Sequence, residues 1–453
     1  MGQRVLLICN YFAPDHAIAA VRITKLAKYL RENGYEVEVL TEKKDGGTDE
    51  LLGNDAKGIK VYYAENSSRY IRFREWYEKL IEPHKTKRFN NLENRKRINP
   101  KTGNVEFYTF EVAYPLIGSL DYLVGQLKQI DLCRSVKREL RIEKHYDYVI
   151  TSYGDSFAYF AGRYFHKNHK DTAWIFDIRD AVYRYKFTPA YVSFLPKIYE
   201  RYIWKHADCI TGISKGICKR VPLRFRRKVH CLTNGYDLSD RVGVKSERIN
   251  SDEMVFTYTG SMYGGIRDLT VLFKAVRKLI QKGEMSEDRV SFHYAGNGPA
   301  FEIFKSQAKP FGLDDKCVMH GKLSRRESLE LQQGSDILLV ASYDYKDQEG
   351  GVITGKIFEY MTAGCPVISI MMGDIEHSEL TQIVEKTNIG MAYEASNQKE
   401  DDERLCEYLR EQYQSFVETG KTRYEPNQKE LRRYDYRYLS KRLIKIMNQI
   451  EKG

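Results

Sequence analysis

Short apolar runs alternate with amphipathic segments from the beginning of the chain. Residues 4–9 (RVLLIC) form an apolar run of strand length, and residues 36–40 form a second run in which Val37 and Val39 alternate with charged residues. The segment between them has the three-to-four-residue spacing of a helix and ends at Gly34. Its apolar face consists of Ile23, Leu26, Ala27 and Leu30. A strand, a helix and a strand in this order predict a parallel βαβ unit.

Strand patterns recur along the rest of the chain and fall into two series. The first continues at 146–152, 172–177 and 207–214 and extends to about Leu238. The second series predicts strands and helices at 254–259, 269–281, 290–295, 317–320, 337–341, 354–363 and from Pro366 onwards. We therefore predict an α/β fold with two Rossmann-like domains that face a cleft.

The predicted domain boundaries follow changes in composition. Residues 1–245 form the first domain, with a basic insertion near 66–135, and residues 246–430 form the second. The polar stretch 242–252 is the predicted linker. A terminal helical segment, 431–453, has apolar residues at helix spacing and is expected to cross back to the first domain. Those residues are Leu439, Leu443, Ile444 and Met447.

The composition restricts the class of protein. The chain has 453 residues and a formal net charge of +11, which favours an anionic partner such as a nucleotide, a membrane surface or a nucleic acid. We find neither zinc-finger spacing nor an RNA-binding aromatic pattern, so nucleic acid is not the expected partner. The eight cysteines form no C-x-x-C pair and are interpreted as reduced packing residues. The polar turn after residues 4–9 and the lack of any apolar run of about 20 residues make the cytosol the expected location.

A glycine-rich loop follows the predicted strand at 254–259. Gly260, Gly264 and Gly265 precede a helix whose start Asp268 marks, and Arg267 lies beside that start. Loops of this kind bring backbone amides and a helix N-terminus close to an anion. A tight connection with a capping Asp and a solvated Arg is the alternative interpretation.

A second candidate segment spans residues 350–370, GGVITGKIFEYMTAGCPVISI. Lys356 and Glu359 are three residues apart on the predicted helix, so both side chains can share one face. There, Lys356 could contact phosphate and Glu359 could accept hydrogen bonds from a vicinal diol. An ordinary ion pair on a solvated helix face remains the alternative.

Several stretches of the second half together resemble the retaining GT-B glycosyltransferases of family 4, especially those of bacterial surface-polysaccharide clusters. They are YTGSMYGGIRD, FHYAGNGPAFE, VMHGKLSRRESLELQQGSDILLVAS and the run from Lys356 to Ile368. The first half is similar to the same family at residues 5–41, at WIFDIRDAVYRY and at VHCLTNGYDLSD. The resemblance covers most of 4–240 and 254–395 and is weakest at 66–135.

The resemblance implies a role for each matching position. It implies that Arg267, Lys356 and Glu359 carry catalysis, with Glu359 on the donor ribose and the two cations on the diphosphate. The implied donor-binding residues are Gly260, Ser261, Gly321, Lys322, Leu323, Thr354 and Gly355. The implied acceptor-side residues are Asp177, Arg179, Asp180, Ala19 and Ala20. No metal and no further cofactor are expected, since no Asp-x-Asp motif ends a strand at the expected cleft.

Three positions depart from the family pattern. Ala19-Ala20 replaces a Gly-Gly pair, Gly351 replaces the first glutamate of an E-x7-E pair, and Gly260-Ser261 replaces Gly-Arg. A charged triad at the end of a buried strand, here Asp177, Arg179 and Asp180, is also commonly a structural network, so the acceptor role has a structural alternative.

The resemblance implies transfer of a sugar from a UDP- or GDP-linked donor to a glycan or lipid-linked acceptor, with retention. Front-face attack by the acceptor hydroxyl is the preferred mechanism, because no carboxylate stands out as a nucleophile. Two alternatives stay open. One is a catalytically idle scaffold that binds a glycan or a partner enzyme, and the other is a sugar-nucleotide isomerase that needs no acceptor.

The run 66–102 is dense in basic and aromatic residues and predicts contact with an anionic membrane. Its basic residues include Arg69, Arg72, Arg74, Lys85, Lys87, Arg88, Arg95, Lys96 and Arg97, and its interfacial aromatics are Tyr70, Phe73, Trp76 and Tyr77. Basic residues near an anionic bilayer each contribute about 1 kcal/mol. A solvated charged loop is the alternative.

Overall fold

A computed structural model describes the chain at residues 2–44, 46–89, 96–98, 105–107, 115–137, 145–184, 188–245, 247–344 and 349–450, with backbone alone for 84–89, 96–98 and 105–107. The chain divides into two compact units. Unit 1 contains Met1–Ile213, Ile217–Leu232 and Ser440–Gly453, and unit 2 contains Ser214–Gly216 and Thr233–Leu439.

Unit 1 is built on a seven-stranded parallel sheet of order β3-β2-β1-β6-β7-β8-β9. Its strands are β1 (Arg4–Cys9), β2 (Glu36–Glu42), β3 (Lys60–Ala64), β6 (Tyr148–Tyr153), β7 (Ala173–Ile178), β8 (Cys209–Gly212) and β9 (Val229–Cys231). A separate antiparallel pair consists of β4 (Lys96–Ile98) and β5 (Val105–Phe107). The helices before Thr233 are α1 (Ile18–Glu32), α2 (Glu50–Asp55), α3 (Ser68–Phe89), α4 (Pro115–Ser135), α5 (Ser156–Asn168), α6 (Phe194–His206) and α7 (Lys215–Lys219).

Unit 2 is built on a six-stranded parallel sheet of order β12-β11-β10-β13-β14-β15. Its strands are β10 (Met254–Thr259), β11 (Val290–Ala295), β12 (Cys317–Gly321), β13 (Ile337–Tyr343), β14 (Val367–Met372) and β15 (Gly390–Glu394). Its helices are α8 (Thr270–Gln281), α9 (Gly298–Ala308), α10 (Arg325–Gln333), α11 (Lys356–Tyr360), α12 (Glu379–Thr387), α13 (Gln398–Thr419) and α14 (Gln428–Leu431).

Both faces of the unit 2 sheet are buried. Leu339 packs into the apolar cluster on one face, and its neighbour Leu338 packs into the cluster on the other. The sequences of such strands are continuous apolar runs, because helices cover both faces of a parallel sheet. The prediction of two Rossmann-like α/β units is confirmed.

The last helix, α15 (Tyr436–Ile450), belongs to unit 1 from Ser440 onwards. Leu443 and Met447 are buried, and Arg442 donates a hydrogen bond to the Cys231 carbonyl at 3.0 Å. The buried face differs by one position from the predicted one, because Ile446 is buried whereas Ile444 is only partly so.

The basic run 66–102 lies partly outside the described residues. Arg69, Arg72 and Arg74 lie in the described part of α3, together with the four predicted aromatics. The described residues do not include Arg95, and they include Lys85, Lys87, Arg88, Lys96 and Arg97 without their side chains. Within the described ranges, no helix combines the length and apolar character that a membrane crossing needs.

Candidate functional site

The order of the strands in unit 2 reverses between β10 and β13. Open parallel sheets bind ligands at the carboxyl ends of their strands, at such a reversal. Here β10 leads into the glycine-rich loop that starts at Gly260, and residues 349–355 lead into α11. The two segments that the sequence marked as candidates therefore lie at neighbouring strand ends.

Two tyrosine hydroxyls hold the glycine-rich loop. Tyr294 donates to the Gly260 carbonyl at 2.6 Å, and Tyr258 donates to the Ser261 carbonyl at 3.0 Å. Gly260 has φ +126°, a conformation that favours glycine. A Cβ placed there would lie 3.9 Å from both Arg267 Nη1 and Lys356 Cε, so two basic side chains lie close to Gly260.

Arg267 brings a positive charge that no carboxylate among the described residues pairs with. Its Nη1 donates to the Ser261 carbonyl at 3.0 Å and to the Tyr258 hydroxyl at 3.3 Å, and its guanidinium stacks 4.4 Å from the Tyr263 ring centroid. Its Nε is buried without a hydrogen-bond partner, and none of the described carboxylates forms an ion pair with it. Asp268 accepts from the Thr270 amide at 2.8 Å and lies directly before Leu269, the N-cap residue of α8.

Lys356 and Glu359 share one face of α11, as their spacing predicted. Lys356 Nζ lies 3.2 Å from Glu359 Oε1. The Tyr360 hydroxyl contacts Thr259 Oγ1 at 2.8 Å and accepts from the Thr259 amide at 3.2 Å, which fixes α11 against the end of β10. Five residues of helix form instead of the predicted 354–363, since Thr354 and Gly355 precede the first turn.

Glu359 is held ionised by basic neighbours. Burial alone would raise its pKa, but the charges of Lys356 and Arg325, a hydrogen bond from Gln332 and the charge of Arg241 together lower the pKa to about 2. Gln332 Nε2 donates to Oε1 at 2.5 Å, and Arg325 Nη1 lies 3.4 Å from Oε2. A carboxylate has about four acceptor positions, so capacity for a ligand hydroxyl remains.

This pKa predicts that donor binding does not depend on pH between about 5 and 8. A depressed carboxyl pKa contributes stability above the pKa of the unfolded chain, about 4.3, and this contribution is lost as the pH falls towards 2. Calorimetry with an intact nucleotide-sugar should give dissociation constants that agree within about twofold across that pH range. An intact nucleotide-sugar is suitable because it has no phosphate monoester that changes protonation there. A step in affinity near pH 5 would contradict the ionised state of Glu359.

Sequence reasoning missed four members of this cluster: Asp240, Arg241, Arg325 and Gln332. Arg325 lies 2.9 Å from Asp240 Oδ2, and Arg241 Nη2 donates to the Glu359 carbonyl at 3.1 Å. One signal was available, because Ser324 and Glu327 form a capping box and place Arg325 in the first turn of α10. Among the described residues named here, four are cations, Arg241, Arg267, Arg325 and Lys356, and two are carboxylates, Asp240 and Glu359.

The backbone conformation explains why Gly351 occupies the position where the resembled family has its first glutamate. Gly350 and Gly351 have φ values of +85° and +77°, which L side chains rarely adopt. A Cβ at Gly351 would also lie 3.0 Å from the Met371 methyl. A glutamate is therefore disfavoured at this position in this loop.

The remaining donor-side residues lie at two places. Thr354 is buried and Gly355 is exposed, directly before α11. Gly321 ends the edge strand β12, and Lys322 and Leu323 follow it. Lys322 is exposed, and Leu323 lines a cavity of about 300 Å³. Because β11 lies between β12 and β10, these residues are about 10 Å from the Gly260 loop.

Asp177, predicted on the acceptor side, is enclosed in unit 1. It is 2% exposed and forms a two-point ion pair with Arg22, at 2.8 and 3.0 Å. Thr211 and Ser152 donate to the same carboxylate at 2.6 and 3.1 Å. These contacts match the structural network that the sequence left as the alternative.

The other acceptor-side candidates lie nearer the surface. Arg179 Nη1 donates to the Ala19 carbonyl at 2.8 Å, and Arg179 Nε lies 3.4 Å from Asp180 Oδ2. Ala19 and Ala20 belong to the first turn of α1. Asp180 is half-exposed and accessible to a ligand.

Comparisons with known proteins agree with this geometry. Residues 253–402 match the family model described as Glycosyl transferases group 1. Three solved structures align over nearly the whole chain. Sucrose-phosphate synthase from Thermosynechococcus elongatus has a TM-score of 0.56 and 13% identity, and the lipopolysaccharide outer core galactosyltransferase WaaB in its apo form has a TM-score of 0.55 and 14% identity, each over 99% of both chains. A mutant of S. aureus TarM has a TM-score of 0.54 and 11% identity over 99% of this chain and 100% of that one.

The chain has the GT-B fold. The low identities mean that these structures establish the fold alone, whereas the family match covers most of the unit that contains Arg267, Lys356 and Glu359. No curated protein matches the chain in sequence.

Proposed function

We propose that this GT-B protein transfers a sugar from a UDP- or GDP-linked donor to a glycan or lipid-linked acceptor in polysaccharide assembly. The observation that carries the proposal is the pair of cations around Gly260, of which Arg267 has no carboxylate partner among the described residues. A diphosphate at this strand end would meet both charges. Its nucleoside would extend towards the β12 end, about 10 Å away.

Glu359 suits a vicinal diol in the same ligand. It stays ionised at neutral pH and retains acceptor capacity beside the two cations. Ribose hydroxyls are the diol that a nucleotide offers close to its phosphates, and Glu359 lies 3.2 Å from the Lys356 ammonium that would contact those phosphates. The solved TarM mutant is described as a complex with UDP, which is consistent with a nucleotide on this fold.

The proposed reaction breaks the bond between the sugar C1 and the β-phosphate oxygen and forms a bond between C1 and the acceptor oxygen on the same face. Negative charge develops on the departing diphosphate, where Arg267 and Lys356 stabilise it. The acceptor hydroxyl proton passes to the departing phosphate oxygen, so no protein carboxylate needs to act as nucleophile. These two cations also make the proposed mechanism independent of a metal.

We place the reaction in the cytosol, at the membrane surface when the acceptor is lipid-linked. The eight cysteines are all free thiols, which is consistent with a reducing compartment. Burial raises the pKa of the Cys9 thiol to about 12 and that of Cys133 to about 11, as expected for packing residues.

Titration calorimetry with UDP and GDP tests the donor site. We expect one of them to bind equally well with and without EDTA, and we expect Glu359→Ala to weaken binding by at least tenfold through loss of the ribose contact. Glu385→Ala, an exposed glutamate on α12, is the matched control and should bind as wild type. Loss of binding on chelation would contradict the metal-free site, and unchanged binding in Glu359→Ala would contradict the ribose role.

A further inference from the structure

Helix α4 presents leucines to solvent and polar residues to the protein. Leu116, Leu120, Leu123 and Leu127 are 72%, 55%, 39% and 49% exposed. Gly118, Ser119, Gln126 and Gln129 are buried on the same helix. Val124, Leu132 and Cys133 are buried as well, so the leucines form a second apolar face that a surface helix of a water-soluble protein does not usually expose.

The four leucines form one continuous stripe. They are spaced by four, three and four residues, which at about 100° per residue places them within an arc of about 60°. Single exposed leucines are common on protein surfaces, but a contiguous apolar stripe marks an interaction site.

Helix α3 adds a second stripe of exposed side chains, Phe73, Trp76 and Leu80. The rings of Phe73 and Trp76 are 6.1 Å apart, and Trp76 is 60% exposed. The spacing of three and four residues again confines them to an arc of about 60°.

The two stripes lie on the same side of the helix pair. The helices run antiparallel, since Ser67 near the start of α3 bonds Asp131 and the Tyr70 hydroxyl donates to the Val124 carbonyl. They pack through Tyr77, Ile81, Val124 and Ile117. On each helix, the stripe is rotated about the helix axis by about 80–90° from the helix–helix contact, in the same rotational sense along the chain. Because the helices are antiparallel, this rotation places both stripes on the same side of the pair.

Charges on α3 are ordered around its stripe. At about 100° per residue, Arg69 falls within the stripe and Arg72 and Lys79 fall along its outer edge. The acidic residues Glu75, Glu78 and Glu82 fall on the opposite side of the helix. The apolar surface is therefore bordered by positive charge.

The α4 stripe continues into a cavity of about 340 Å³ between α4 and α5 that is lined by four cations: Arg134, Lys137, Arg163 and Lys167. Arg134 has the same angular position as Leu116, five turns further along α4. Among the described residues no carboxylate pairs with any of the four, and Arg163 Nε is buried without a hydrogen-bond partner. Lys137 and Arg163 instead lie 4.5 Å from the ring centroids of Tyr164 and Tyr202.

We propose that the α3–α4 face, defined by Phe73, Trp76, Leu80, Leu116, Leu120, Leu123 and Leu127, binds a bilayer that contains anionic phospholipid. The leucines and aromatics enter the boundary of the acyl region, and a lipid headgroup phosphate occupies the four-cation cavity. Apolar side chains lie next to cations that no described carboxylate pairs with, which matches the order of acyl chain and phosphate in a lipid. A second copy of the chain fits less well, because the same apolar and basic face on both copies offers no anion to the four-cation cavity.

This inference deepens the proposed function, since it names the surface that would present a lipid-linked acceptor. It also differs from the sequence prediction, which assigned membrane contact to the basic run 66–102. The leucine stripe of α4 and the cations of α4 and α5 lie outside that run.

Vesicle co-sedimentation of the full chain, without donor or acceptor, tests the inference. We expect wild type to pellet with phosphatidylglycerol-containing vesicles at low salt and to remain in solution with phosphatidylcholine alone. Leu120→Gln/Leu127→Gln and Arg134→Gln/Lys137→Gln should each reduce partitioning at least tenfold. Leu238→Gln/Val417→Gln, which changes two exposed apolar residues of unit 2, should partition as wild type.

Tryptophan fluorescence reports the geometry of binding. Vesicles should shift the emission of wild type to shorter wavelength. Trp76→Phe should abolish the shift, because Trp174 is fully buried and Trp204 is partly buried on α6, outside the α3–α4 face. Equal pelleting of wild type and both test variants would overturn the inference. A leucine-dependent dimer in sedimentation velocity without lipid would overturn it in favour of a second copy. Because no donor is present, a negative result leaves sugar transfer untouched.

Discussion

Replacing Lys356 by methionine is expected to weaken nucleotide binding by about 10- to 100-fold, because a hydrogen bond to a charged group contributes about 1.5–3 kcal/mol. Methionine keeps the length and apolar contacts of the stem and removes the charge. Arg267→Met should have an effect of similar size, since both basic side chains lie 3.9 Å from a Cβ built on Gly260. Calorimetry with the nucleotide that wild type prefers measures both.

The double variant distinguishes a shared ligand from two independent effects. If both cations contact one diphosphate, the losses of Arg267→Met and Lys356→Met should not add, as is usual for groups that act on the same partner. Lys309→Met removes an exposed lysine of the same unit and is the matched control. Wild-type affinity in the double variant would rule out this strand end as the diphosphate site.

Asp177→Asn is expected to destabilise unit 1 by about 3–5 kcal/mol, because it leaves the buried Arg22 guanidinium without its counter-charge. Burial alone would raise the pKa of Asp177, but Arg22 and two hydroxyls hold the pKa below its usual range. This carboxylate therefore stabilises the fold above the unfolded-state pKa, about 3.9, and its contribution is lost as the pH falls below that value. Thermal unfolding at pH 7 should show a decrease on the order of 10 °C.

Asp180→Asn is the matched control for Asp177→Asn, three residues further along the chain. Its carboxylate is half-exposed and pairs with Arg184 at 3.1 Å, so the expected loss is below about 1 kcal/mol. If Asp177 instead served the acceptor directly, Asp177→Asn would leave the unfolding temperature unchanged while abolishing transfer.

The sequence predicted the parts of the site that depend on local spacing. Lys356 and Glu359 are three residues apart, and Gly260 follows a recognisable strand, so the pattern alone predicted the local structure at each of them. Arg325 and Arg241 could not be found in this way, because they reach Glu359 across 34 and 118 residues through tertiary packing. Their identity depends on how α10 lies against α11.

The leucines of α4 are a case in which the sequence pattern alone would indicate the wrong face of a helix as buried. Leucines at helical spacing ordinarily indicate a face that packs on the core. In α4 the core side is instead occupied by Gln126, which accepts from the Tyr199 hydroxyl at 3.3 Å, and by Gln129, which donates to Asp155 at 2.9 Å. Those polar partners come from α6 and from the end of β6, so only the tertiary structure shows that the leucines face outwards.

The most direct test of the central claim is the transfer of a labelled sugar from UDP- and GDP-sugars, in the presence of EDTA, with and without a glycan or lipid-linked acceptor extract. The account predicts a labelled product that requires the acceptor and that falls by about 100-fold or more in Arg267→Met/Lys356→Met. Label that is converted to another sugar nucleotide without acceptor, or nucleotide binding with no product from any acceptor, would contradict it.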